Sequence, residues 1–212
     1  MILPRLHVVC PDDVLARPEF RDVAREVLAA GGRELALHLR PRHAPIRPCL
    51  EAAAALVRAA RDSGGWLVVN GRVDLALACG AHGVQLGAGA LPVAAARRIL
   101  PAGTAIGVSV HGAAEARRAA ADGADFLIAG TIFPTPTHPG GTAGGPGRVR
   151  ACAAAGLPVI AIGGIGPDRV APVLAADARG VALVRAVWDA DRPAEAVGAL
   201  RRALEVDGPG SA

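Results

Sequence analysis

The sequence predicts a TIM (β/α)8 barrel forming a single compact α/β domain, and three observations carry that expectation. Eight short runs rich in Val, Ile and Leu alternate with eight alanine-rich stretches bearing charges at helical spacing, the pattern of strand–helix units around a parallel sheet. The series fits within 212 residues, which suits one barrel with few insertions. Eight units also exceed the five or six strands at which a doubly wound sheet usually stops.

Taken in order, the strands are expected at 6–9 (LHVV), 35–39 (LALHL), 66–70 (WLVVN), 83–86 (GVQL), 105–110 (AIGVSV), 126–130 (FLIAG), 158–164 (PVIAIGG) and 180–184 (GVALV). Helices are expected at about 19–30, 49–63, 72–79, 92–99, 113–122, 147–155, 167–176 and 192–205. Pro92, Pro167 and Pro193 suit first-turn positions, where the missing N–H is not needed. Gly32, Gly80, Gly123 and Gly156 fall at helix ends, where a left-handed residue is often required. The barrel is expected over residues 1–207, with a flexible tail at 208–212.

Composition narrows the function classes. A hydrophobic content of 52% is ample for a core. No stretch offers eighteen uncharged apolar residues and the first residues lack a signal-peptide pattern, so the expectation is a cytoplasmic protein with no membrane partner. Cys10, Cys49, Cys79 and Cys152 show no CxxC spacing and read as reduced, with no zinc site. The positive charge is entirely arginine, yet there is no basic run and only 2% aromatic content. That excludes a nucleic-acid surface and favours a small anionic ligand held by one or two arginines.

Barrel chemistry sits at the C-terminal ends of the strands. The loops after strands seven and eight commonly bind phosphate through backbone N–H groups, which directs attention to Gly163, Gly164, Val184 and Arg185; a tight turn needing glycine is the competing reading. His38 and Arg40 share one strand face and Arg42 follows, so they are suited to hold a carboxylate, with His38 able to move a proton near neutral pH. The alternative is a hydrogen-bonded structural histidine with surface arginines. Asn70 ends a strand and suits hydrogen bonding to a heterocycle, whereas Arg72 and Asp74 read as a structural pair.

NGRVDLAL, VQLG, GVSVH, GTIFPTPTHPGG and PVIAIGGI, in this order, resemble the thiamine phosphate synthase and TenI superfamily over residues 6–190. In the synthases, the resemblance implies, an aspartate in an Asn-Asp-Arg motif and a second after strand four hold magnesium. Here those places are Gly71 and Ala90, and His138 replaces a diphosphate-binding lysine. His38-Leu39-Arg40, Asn70-Gly71-Arg72 and VQL at 84–86 instead resemble the TenI thiazole tautomerase branch. The resemblance therefore implies a metal-free, cofactor-free isomerase acting on a phosphorylated thiazole carboxylate, with magnesium needed only in the synthase alternative.

Carried over by position, the resemblance places Gly164, Val184 and Arg185 around the phosphate, Thr135 and Thr137 near the carboxylate, and Ser109 and Asn70 in the pocket lining. Thr131 stands where the tautomerase has its acid–base histidine, so His38 or His138 is expected to carry the proton. The alternatives are a thiamine phosphate synthase joining a pyrimidine diphosphate to thiazole phosphate, or a non-catalytic binder of such phosphates. A homodimer is also consistent with the family.

Overall fold

The computed structural model describes residues 2–135 and 142–206. The expected ligand residues Thr137 and His138, and the tail at 208–212, lie outside the described residues. Eight strands are present: β1 (Leu6–Cys10), β2 (Leu35–Leu39), β3 (Trp66–Asn70), β4 (Gly83–Leu86), β5 (Ala105–Val110), β6 (Phe126–Ala129), β7 (Val159–Ile162) and β8 (Gly180–Leu183). They close in chain order into a barrel, in which β8 returns to pair with β1 through Leu6↔Val181 and Val8↔Leu183. Every pairing is parallel. The fold is thus the (β/α)8 TIM barrel that the alternating pattern predicts.

The helices are α1 (Asp12–Leu15), α2 (Phe20–Gly31), α3 (Ile46–Ser63), α4 (Val73–Cys79), α5 (Val93–Ile99), α6 (Ala113–Ala121), α7 (Gly145–Ala153), α8 (Val170–Leu174), α9 (Arg185–Trp188) and α10 (Pro193–Val206). Helix α3 starts three residues before the expected 49, because Pro48 falls in its first turn, where no intrahelical N–H bond is lost. The expected helix at 167–176 is divided into a 3-10 turn (Pro167–Arg169) and α8. Two single-turn helices, α1 and α9, lie in the loops after β1 and β8, where four residues are too few to show a period. Among the described residues no helix is long and apolar enough to cross a membrane.

Alternation along each strand divides the core in two. Outward residues such as Leu37, Leu67 and Leu127 are fully buried under the helices. Inward residues such as Trp66, Val68, Phe126, Ile128 and Ile160 fill the barrel. Full burial of Phe126 alone stabilises the fold by about 1.5–3 kcal/mol. Two steps along the same inward faces the side chains turn polar: Ala36 is followed by His38, and Val68 by Asn70. This change of character inside the barrel marks the floor of the site.

Candidate active site

A cavity of about 220 Å³ opens at the C-terminal ends of the strands. Its lining includes Arg40, Asn70, Ser109, Thr131, Thr135, Gly163, Gly164, Val184 and Arg185. Nine of the site residues expected from sequence are therefore gathered by the barrel into one place. Arg42 is not among them: it is exposed, and its backbone N–H, with that of His43, donates to the Asp12 carboxylate at 3.0 Å in both cases.

His38 does not reach the cavity. It is 0% exposed, and both ring nitrogens are occupied, Nε2 lying 2.8 Å from His7 Nδ1 and Nδ1 lying 3.0 Å from Asn70 Oδ1. Burial pulls its pKa from 6.5 to about 4, against the raising effect of the Asn70 contact. A neutral ring sealed beneath Asn70 has no lone pair or proton to offer a ligand, so the expectation of His38 as the proton carrier gives way to the structural reading. His7, which sequence reasoning passed over, extends the chain downward to the Pro4 carbonyl through Nε2 at 3.0 Å.

Two further residues, one lining the cavity and one behind its wall, had weak signals. His111 follows β5 and lines the mouth; its ring Nδ1 and its backbone N–H both meet Glu115 Oε2, at 3.1 and 2.8 Å. Burial alone would raise the Glu115 pKa, but these bonds together with the nearby charges of His111 and Arg118 hold it below its usual value. Gln85 is 2% exposed and donates from Nε2 to Ser109 Oγ at 3.0 Å, fixing that hydroxyl at the wall.

The glycine pair after β7 is demanded by packing. Gly163 has φ +109° and Gly164 φ +62°, conformations that suit glycine. A Cβ at Gly163 would lie 2.6 Å from Thr131 Cγ2, and one at Gly164 would lie 2.5 Å from the Pro134 carbonyl. The loop after β6 therefore presses directly on the loop after β7. Ile132 and Phe133 donate backbone N–H groups to the Ile162 and Gly163 carbonyls at 3.0 and 2.9 Å, and Arg148 donates to the Thr131 carbonyl at 2.8 Å. Thr131 and Thr135 are thus held on a braced segment.

The charges of the cavity are cationic. Arg40 is half-buried, and its pKa is lowered by burial and then by Arg42, with Asp12 opposing. Arg185 lies at the rim, 3.0 Å from Asp13 Oδ2 and 3.4 Å from Asp189 Oδ1. Arg72 and Asp74, expected to be a structural pair, make a two-bond contact at 2.9 and 2.6 Å outside the cavity. Among the described residues no Asp or Glu lines the cavity.

The donor set does not fit the magnesium that the family resemblance implies for a synthase. Gly71 and Ala90, at the two carboxylate places, have no side-chain oxygen. Among the described residues no group of three His, Cys, Asp or Glu side chains could hold a metal ion. Magnesium relies on one or two carboxylates beside its waters and phosphate ligands, and this lining supplies none.

Comparison with known proteins corrects the expected activity. The chain is 43% identical over 187 residues to the thiamine-phosphate synthase of Methanoculleus marisnigri, covering 86% of each. It is 50% identical over 181 residues to the thiamine biosynthesis bifunctional protein ThiM/ThiE of Symbiobacterium thermophilum, covering 84% of this chain but only 37% of that longer relative. Among solved structures, the thiamine phosphate pyrophosphorylase of Pyrococcus furiosus superposes with a TM-score of 0.85 at 34% identity, covering 96% of both chains. These relatives overturn the tautomerase reading, which rested on three short motifs, since similarity along the whole barrel lies with synthases. The thiamine monophosphate synthase family (TMP-TENI) matches residues 6–187, and the chain belongs to that family.

Proposed function

We propose that this chain is a transferase of the thiamine-phosphate synthase type, joining a phosphorylated thiazole to a pyrimidine carried as its methyl diphosphate. The observation that carries the reading is the 43% identity to a curated synthase across 86% of both chains. In the reaction the methylene C–O bond to diphosphate breaks, the thiazole nitrogen supplies the electron pair of the new C–N bond, and diphosphate leaves. No proton transfer is needed, which agrees with a cavity lining in which, among the described residues, the one histidine, His111, sits at the rim.

The residues divide the work by charge. Arg40 provides a cation for the anionic leaving group, because a half-buried guanidinium interacts more strongly with phosphate oxygens than an exposed one. The Gly163–Gly164 turn, with Val184 and Arg185 beside it, suits the thiazole phosphate. Thr131 and Thr135 offer hydroxyls on the braced β6 loop. The reaction is proposed to proceed without magnesium held by protein carboxylates.

The test is diphosphate release and coupled product formation from the two phosphorylated substrates, with and without magnesium. Product formed at similar rates in both conditions supports the reading. Absence of product under both conditions overturns the transferase reading, and product only with magnesium overturns its metal-free part. A second reading, a non-catalytic binder of the same phosphates, is favoured by Gly71 and Ala90 replacing the two carboxylates. Calorimetric binding of thiazole phosphate without turnover would select it.

A further inference from the structure

Pro4, His7, His38 and Asn70 form one row of groups from the bottom of the barrel to the cavity. Three contacts join them: Pro4 O to His7 Nε2 at 3.0 Å, His7 Nδ1 to His38 Nε2 at 2.8 Å, and His38 Nδ1 to Asn70 at 3.0 Å. The Pro4 end is a carbonyl and can only accept. If Asn70 presents its Oδ1 to His38, the other end is also an acceptor, and three hydrogen bonds need three N–H protons. Two neutral imidazoles carry two.

The third proton would make one ring an imidazolium with no water around it. Both rings are 0% exposed, the neighbouring ring of His7 is Phe126 at 5.7 Å between centroids, and no carboxylate contributes to the pKa of either histidine. An unpaired buried charge of this kind is strongly disfavoured. Leaving one contact unbonded is also unfavourable, since a buried polar atom without a partner keeps its desolvation penalty uncompensated. A half-turn of the Asn70 carboxamide removes both problems. Asn70 Nδ2 then donates to His38 Nδ1, His38 Nε2 donates to His7 Nδ1, and His7 Nε2 donates to the Pro4 carbonyl. Every donor meets an acceptor and both rings stay neutral.

We infer that His7 and His38 are positioning residues that fix the carboxamide of Asn70 with its carbonyl oxygen toward the cavity, so that this wall accepts a hydrogen bond from a donor group on the bound ligand. Direction passes along the row because each imidazole with its proton on Nε2 forces the same arrangement on the next. Neither histidine touches ligand. Their contribution is to remove one of the two faces that an isolated asparagine would offer, which converts an ambivalent side chain into an acceptor. The class of ligand selected carries an exocyclic amine, a ring N–H or a hydroxyl at that point.

Long-range 1H–15N correlation spectra of the histidine rings in the intact wild-type protein test the row directly. The expected result is that both rings are neutral with the proton on Nε2 and a bare Nδ1. A proton on His38 Nδ1, alone or on both nitrogens, overturns the inference. His7→Phe removes the acceptor for His38 Nε2, so the His38 proton should move to Nδ1 and turn the Asn70 amide N–H2 to the cavity; His7→Gln, which keeps an acceptor and a donor, should restore the original tautomer. A His38 ring that keeps its Nε2 proton in His7→Phe also overturns it. Should His7→Phe not fold, the wild-type spectrum decides alone.

A binding arm, which rests on the transferase reading, compares two pyrimidine diphosphates differing only in an exocyclic amine or a hydrogen. The amine form should bind wild type about tenfold more tightly, the scale of one good hydrogen bond in a dry site, and lose that preference in His7→Phe. Equal affinity of the two for wild type overturns ligand selection, while the spectra stand independently of whether the chain is a transferase.

Discussion

Arg185 reaches from the rim of the cavity to Asp13 Oδ2 at 3.0 Å, tying the loop after β8 to the first helix 172 residues earlier in the chain. Asp189, which caps the end of α9, takes the same guanidinium at 3.4 Å. Two carboxylates therefore share one cation, and with Asp13 as the largest favourable influence they raise its pKa against the opposing effect of burial. All three groups are about half exposed, so the contacts contribute little to stability, about 0–1 kcal/mol each. Their effect is on the ligand. Asp13→Asn with Asp189→Asn should free the guanidinium and tighten binding of inorganic phosphate by about fivefold at low salt, whereas Arg185→Ser should weaken it by a similar factor. Phosphate titrations followed by NMR at two ionic strengths check both directions.

The buried histidine pair gives stability a defined pH dependence. His38 titrates at about 4 in the fold against 6.5 when free, and burial also holds His7 well below 6.5, followed by the charge of His38. Between about pH 4 and 6.5 the unfolded chain binds protons that the native chain refuses. Stability is therefore full above pH 6.5 and falls as pH drops toward 4, by on the order of 3 kcal/mol for His38 alone. Urea midpoints measured from pH 7.5 to 4.5 should decline through this window. His38→Gln should flatten the decline; an unchanged slope in that variant would show that other groups control acid sensitivity.

Gly164 and Gly71 separate backbone strain from crowding. Both have positive φ, +62° and +75°, but only Gly164 has neighbours that a methyl would strike, the Pro134 carbonyl and Phe133 Cβ, at 2.5 and 2.9 Å. Gly71→Ala should destabilise by about 1–2 kcal/mol, the intrinsic cost of a left-handed L-residue. Gly164→Ala should exceed that and also shift the β6 loop, so phosphate affinity falls with stability. Denaturant unfolding and phosphate binding measured on the two variants distinguish the cases.

Much of this architecture was legible in the chain. Each strand was expected within about two residues of its place, because alternation of Val, Ile and Leu with polar ends is imposed by a barrel wall that is buried on both faces. The mouth was legible for the same reason: once the strands are known, Arg40, Asn70, Ser109 and Arg185 must lie near their C-terminal ends. His38 was misread because strand periodicity gives the face a side chain takes but not its depth, and the deciding partner, His7, sits in another strand with no motif of its own. Helices α1 and α9 were missed since one turn contains no repeat. The choice between tautomerase and synthase failed on a different ground, for three short motifs weighed more than similarity along the whole barrel.

The last expectation concerns the two missing carboxylates. Gly71 is exposed, and a Cβ there meets nothing within 4 Å, so the position accepts a side chain without displacing a neighbour. Asp is among the residues that best tolerate its left-handed backbone. Ala90 is half-buried in the loop after β4. Among the described residues the wild-type cavity lining has no carboxylate, and neither binding of a pyrimidine diphosphate nor turnover should change on adding a chelator. The double variant Gly71→Asp, Ala90→Asp places two acids at the mouth, which should repel the free diphosphate and make its binding depend on magnesium, because the cation then bridges carboxylates and phosphate oxygens. Calorimetry of diphosphate binding with and without magnesium reads this independently of catalysis. The expected result is a magnesium requirement in the double variant and none in wild type; a wild-type affinity that collapses without magnesium would mean that the cation is held by the substrate and backbone instead.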